Sequence, residues 1–87
     1  MSRGNVHCLK TWPEHWEAVY RGWKTFEVRK DDRGGFEVGD VLVLHEYQPA
    51  SRRYTGRTCS RRVTHVLSGG QFGIEDDYVV MSLSTVI

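Results

Sequence analysis

Gly22-Trp23-Lys24-Thr25-Phe26-Glu27-Val28-Arg29 is the stretch in which the chain changes period. Upstream of it, Trp12, Trp16, Val19, Tyr20 and Trp23 recur at helical spacing, while Glu14, Glu17 and Arg21 favour the other side. This predicts a helix that runs to about Arg21. From Thr25, Phe26 and Val28 alternate with Thr25, Glu27 and Arg29, the period of a strand with one polar and unusually charged face. Gly22 suits the left-handed residue that closes a helix. At the other end of the helix, the Thr11 hydroxyl can cap, Glu14 stands three residues later as in a capping box, and Pro13 fits a first turn whose donors are free anyway.

Outward from this hinge the remaining elements follow. Val6, Cys8 and Leu9 start a short strand before the helix. Lys30-Asp31-Asp32-Arg33-Gly34-Gly35 is a charged loop, and Val38-Gly39-Asp40 is a turn. Val41-Leu42-Val43-Leu44 is apolar on both faces, as in a central strand. Residues 48–56 read as a hairpin loop and residues 57–67 as the return strand. Three glycines among residues 68–73 mark another loop, and a closing strand starts at Tyr78. The order is strand, helix, then about four strands. The expected fold is therefore α+β and mainly β: a small pseudo-barrel of five to six strands with one main helix packed against it.

A chain of 87 residues supports one hydrophobic core, so residues 1–87 are read as one domain whose site must be built from parts of that core. Apolar residues at 39% and charged residues at 26% exclude a disordered or fibrous chain. A formal net charge of +1 gives no long-range field for a polyanion, so nucleic-acid affinity must come from local placement. No apolar run approaches the roughly 20 residues of a membrane helix, and residues 1–5 lack the pattern of a secretory signal; no membrane association is expected, and a cytoplasmic protein is. Cys8 and Cys59 form no C-x-x-C pair and are expected to be buried, reduced thiols. His7, His15, His45 and His65 lack a tight ligand spacing, so neither a metal nor a cofactor is expected.

His7-Cys8-Leu9-Lys10, Trp12-Pro13, residues 22–29 as quoted, Asp32-Arg33 and Val38-Gly39-Asp40 together resemble an ASCH-like domain. With Glu46-Tyr47, Tyr54-Thr55-Gly56-Arg57 and the Gly-x-x-x-x-Tyr-Val-Val run that starts at Gly73, the chain is similar over nearly its whole length to the small bacterial and phage proteins known as DUF3850. The resemblance implies a PUA-like pseudo-barrel with a cleft between the first helix and the sheet, holding RNA or a nucleotide-like ligand. It places Lys24, Glu27 and Arg29 at that cleft.

The residues agree on the place. Glu27 and Arg29 share a strand face and Lys24 lies just before it. An arginine fork and a lysine can take a phosphate or a base carbonyl, while a carboxylate can accept from a base amino group. The plainer alternative is that Glu27 and Arg29 pair with neighbours on a solvated face. Lys10 is a further candidate cation, and Asp32 and Arg33 are a candidate rim or merely a charged turn. Trp16 is assigned to the core, with Trp12 and Trp23 as candidate platforms for an unpaired base. Arg52, Arg53, Arg57, Arg61 and Arg62 form a basic patch only if they share a face, which Arg61 and Arg62 cannot do in a regular strand.

Two other functions stay open. Some small ASCH proteins deacylate N4-acetylcytidine with a lysine, a threonine three residues later and a more distant glutamate. Lys24 matches the lysine, Glu27 stands at the threonine position, and Glu75 does not align clearly with the glutamate. Lys24 and Glu27 are thus the candidate catalytic pair of an amidohydrolase or ribonuclease. An apolar patch around Trp12 and Trp23 would instead fit a protein partner. The sequence leaves the oligomeric state open.

Overall fold

The period change at residues 22–25 separates helix from strand in the computed structural model, which describes residues 4–31 and 35–86. Helix α1 spans Pro13–Tyr20 and buries Trp16 and Val19. Its C-terminal end closes at Gly22, whose φ is +79°. The Gly22 N–H donates to Val19 O at 3.0 Å and the Trp23 N–H to Ala18 O at 2.9 Å. This is the paired Schellman closure that glycine favours. At the other end the cap residue is Trp12, in an extended conformation with no side-chain cap bond, and Pro13 opens the first turn. The capping box expected from Thr11 does not form, because the Thr11 hydroxyl donates to Leu9 O at 3.3 Å and accepts from Arg29.

Among the described residues, five strands make one sheet: β1 (Val6–Thr11), β2 (Phe26–Lys30), β3 (Val41–Gln48), β4 (Arg53–Ser68) and β5 (Tyr78–Thr85), in the order β1-β3-β4-β5-β2. Only β1 with β3 is parallel; the other pairs are antiparallel. The doubly apolar run at Val41 lies inside the sheet, as its pattern requires, with Leu42 and Leu44 fully buried. The hairpin is tighter than expected, since β3 continues to Gln48 and β4 starts at Arg53.

Strand β4 pairs with β3 over Arg53–Arg62 and with β5 over Arg61–Ser68, so its two neighbours overlap at only Arg61 and Arg62. That offset, with register shifts at His45/Tyr47 and Val63/His65, curls the sheet into a half-barrel. The concave face holds Leu42, Leu44, Cys59, Val63, Val79, Met81 and Leu83, closed by Trp16 and Val19 of α1. Trp16 also donates from Nε1 to Leu44 O at 3.0 Å, which meets the polar need of a buried indole. Cys59 is buried as expected, but Cys8 is exposed on β1, and both are free thiols.

Asp40 anchors the turn before β3. Buried, it accepts from the backbone N–H of Asn5 at 3.0 Å and of Glu37 at 2.9 Å, and from His7 Nε2 at 2.8 Å. Burial alone would raise its pKa; the bonds from His7, Glu37 and Asn5 outweigh it and hold the carboxyl below the usual aspartate range.

Candidate functional site

Strands β1 and β2 are the two edges of the sheet, and one side chain joins them. Arg29 on β2 donates from Nη1 to Lys10 O at 3.0 Å and from Nη2 to Thr11 Oγ1 at 3.1 Å, both on β1. Its Nε donates to Glu27 Oε2 at 2.9 Å. The open side of the half-barrel is thus bridged by a guanidinium, a planar group with donors in three directions, rather than by backbone ladder bonds.

Strand β2 lies the other way round from a solvated charged strand. Glu27 is buried, at 3% exposure, whereas Phe26 and Val28 are half-exposed, at 45% and 48%. The reading of Glu27 and Arg29 as a pair on a solvated face is therefore corrected. The carboxylate tolerates burial because each oxygen has a cationic donor: Arg29 on Oε2, and Lys24 Nζ on Oε1 at 3.3 Å. Lys24 lies also 3.4 Å from His15 Nδ1 and 5.3 Å from the centre of the Phe26 ring.

These groups line a cavity of about 540 Å³ between the end of β1, the first turn of α1 and β2. Its volume lies within the roughly 300–1,000 Å³ of small-molecule sites. Of the residues singled out in the sequence, Lys10, Trp12, Lys24, Glu27 and Arg29 all line it. Asp32 and Arg33 lie outside the described residues. Trp23 is exposed, at 75%, and does not line the cavity; Arg21 lies 5.3 Å over its ring. Trp12 is 52% exposed at the cavity mouth and Trp16 is core. Glu75 is exposed and is not part of the wall.

Four further residues of the wall, Thr11, His15, Phe26 and Val28, carry no such signal in the sequence. Thr11 has the position of a helix cap in the sequence, whereas in the fold it ends β1, the strand that faces β2. His15 lies on the first turn of α1, three residues after the cap residue Trp12. Phe26 and Val28 belong by alternation to the apolar face of their strand, which the pattern assigns to the core. Among the described wall residues, the cations Lys10, Lys24 and Arg29 face one carboxylate, Glu27, so the cavity has a formal surplus of two positive charges with His15 neutral.

The arginines of the hairpin do not make a patch. Arg57 holds Glu46 through Nε at 2.9 Å and Nη2 at 3.0 Å, and donates from Nη2 to Glu17 at 3.1 Å. It lies 4.2 Å over the Trp16 ring. The Arg57 guanidinium, then the Thr55 hydroxyl, lower the Glu46 pKa against the effect of burial, and Glu46 in turn pushes that of Arg57 up. Arg61 donates to the last carbonyls of α1, Val19 O and Tyr20 O, and Arg62 to Gly39 O. Arg52 and Arg53 stay exposed at the hairpin tip. Among the described residues no group of three His, Cys, Asp or Glu side chains could hold a metal ion, and no helix is long and apolar enough to cross a membrane.

The model of the family DUF3850, a domain of unknown function, matches residues 6–83. No curated protein matches the chain.

Proposed function

We propose that this chain, which belongs to the DUF3850 family, is an RNA- or nucleotide-binding module of the ASCH/PUA-like kind. One observation carries the proposal: Lys24, Glu27 and Arg29 converge on one cavity whose wall has surplus positive charge and whose mouth holds an exposed indole. A phosphate matches the charge and an unpaired base matches the exposed Trp12 indole. Glu27 already accepts from two cations, so its main part is to position them. Free thiols at Cys8 and Cys59 suit a reducing cytoplasm.

The test is fluorescence anisotropy of a labelled single-stranded RNA titrated at several salt concentrations. Engagement of two to three phosphates gives a log–log salt slope of about −1.4 to −2.1. Lys24→Ala should weaken binding and flatten that slope. Absence of saturable binding at low salt would remove the proposal.

A second reading, deacylation of an N4-acylated cytidine, draws support from the Lys24 amine, which is held between a carboxylate and an imidazole in the same cavity. Thr11, the one hydroxyl among the described wall residues, is tied to Leu9 O and Arg29, a poor setting for a nucleophile. Release of cytidine from N4-acetylcytidine, abolished by Lys24→Ala, would favour this reading over simple binding.

A further inference from the structure

Lys10 lines two hollows. Besides the cavity just described, it borders a second one of about 240 Å³, whose wall includes His45 and Tyr54. Here the chain presents an aromatic group outside the core. Tyr54 meets Tyr47 at 5.0 Å and His45 at 6.2 Å between ring centres, both edge-on, with interplanar angles of 67° and 82°. The Lys10 ammonium lies 4.4 Å over the Tyr47 ring. Tyr54 nevertheless remains 58% exposed.

The two ring contacts hold the Tyr54 side chain in place and still leave more than half of the residue exposed. The cross-strand pair with Tyr47 accounts for hairpin register. It accounts neither for the hollow nor for the ammonium shared with the neighbouring cavity. An exposed aromatic side chain held next to a cation is what a stacked base followed by a phosphate requires.

We infer that the ligand is a single-stranded oligonucleotide rather than a free mononucleotide: one nucleotide occupies the Lys24–Arg29 cavity, the next base stacks on Tyr54, and the linking phosphate lies at Lys10. The inference rests on the nucleotide-binding reading and extends it to a second subsite.

Affinities of the four ribonucleoside 5′-monophosphates and of the corresponding 5′-phosphorylated dinucleotides, measured by calorimetry, test it. A dinucleotide should bind tighter than its mononucleotide by on the order of ten-fold, the gain from one stacked base. Tyr54→Ala should abolish that gain and leave mononucleotide affinity unchanged, and Tyr54→Trp should keep it, which covers the case of an alanine variant that melts. Mononucleotide binding with no dinucleotide gain, or a gain that survives Tyr54→Ala, overturns the second subsite and spares the first. If neither ligand binds, both readings fall.

Discussion

Replacing Arg29 by alanine tests whether a side chain closes the sheet. The substitution removes three hydrogen bonds, to Glu27 at 2.9 Å, Lys10 O at 3.0 Å and Thr11 Oγ1 at 3.1 Å. It leaves a carboxylate at 3% exposure with Lys24 alone, at 3.3 Å. Bonds to charged groups contribute about 1.5–3 kcal/mol each, and orphaning one member of a buried pair costs about 3–5 kcal/mol. The Arg29 side chain is 24% exposed, so water can replace part of what is lost, and Lys24 still neutralises Glu27. The expected net cost is about 2–4 kcal/mol, a large share of the roughly 5–15 kcal/mol that holds a domain together. In urea denaturation, a loss of about 2 kcal/mol moves the midpoint by about 1–2 M with the slope unchanged. Combining Arg29→Ala with Glu27→Leu removes the stranded charge, so the double variant should be more stable than the sum of the single costs implies, by about 1 kcal/mol or more. An Arg29→Ala variant within about 0.5 kcal/mol of the parent would refute the bridge between the two edge strands, and strict additivity in the double variant would refute the Glu27–Arg29 pair that orients it.

Three further outcomes follow from the same geometry. Trp16→Ala should cost about 3–5 kcal/mol, because it empties the helix–sheet core and leaves Leu44 O and Arg57 without the indole, whereas Trp23→Ala, at an exposed position, should stay within about 0.5 kcal/mol of the parent in the same denaturation assay. Gly22→Ala should lower stability by about 1 kcal/mol, since a Cβ at φ +79° meets no neighbour but is strained by its own backbone; a thermal melt reads this. Asp40 has a folded pKa below its ordinary value, so its contribution is fully present above about pH 4 and is lost as pH falls through the folded value; the acid loss measured between pH 5 and pH 2 should be smaller in Asp40→Asn, which starts from lower stability at neutral pH.

What could be read in the sequence was local. The switch at Gly22, the doubly apolar strand at Val41 and the turn at Asp40 each depend on residues within a few positions of one another, and each is where the pattern puts it. Lys24, Glu27 and Arg29 could be grouped because they lie within six residues on one element and its approach. The direction in which β2 faces could not. Alternation gives two faces but does not say which is buried, and the usual preference for apolar burial is reversed here because the partners that make Glu27 burial tolerable include Arg29, itself held by the backbone of a distant edge strand. The Thr11 cap failed for a related reason, since the hydroxyl that would cap α1 is engaged by Arg29, 18 positions later. The fate of the hairpin arginines was equally hidden: Arg57 finds Glu17 across 40 positions and Arg61 finds Val19 O across 42, separations that no spacing rule reaches.

The central claim, that the cavity between the end of β1, the first turn of α1 and β2 is where a nucleic-acid ligand binds, is tested most directly by following backbone amide resonances while a short single-stranded RNA is added. Shift changes that saturate and cluster at residues 10–15 and 24–29, and that vanish in Lys24→Ala, are the expected result. Saturating changes confined to the β4–β5 loop or to the outer ends of the sheet, with residues 24–29 silent, would contradict it.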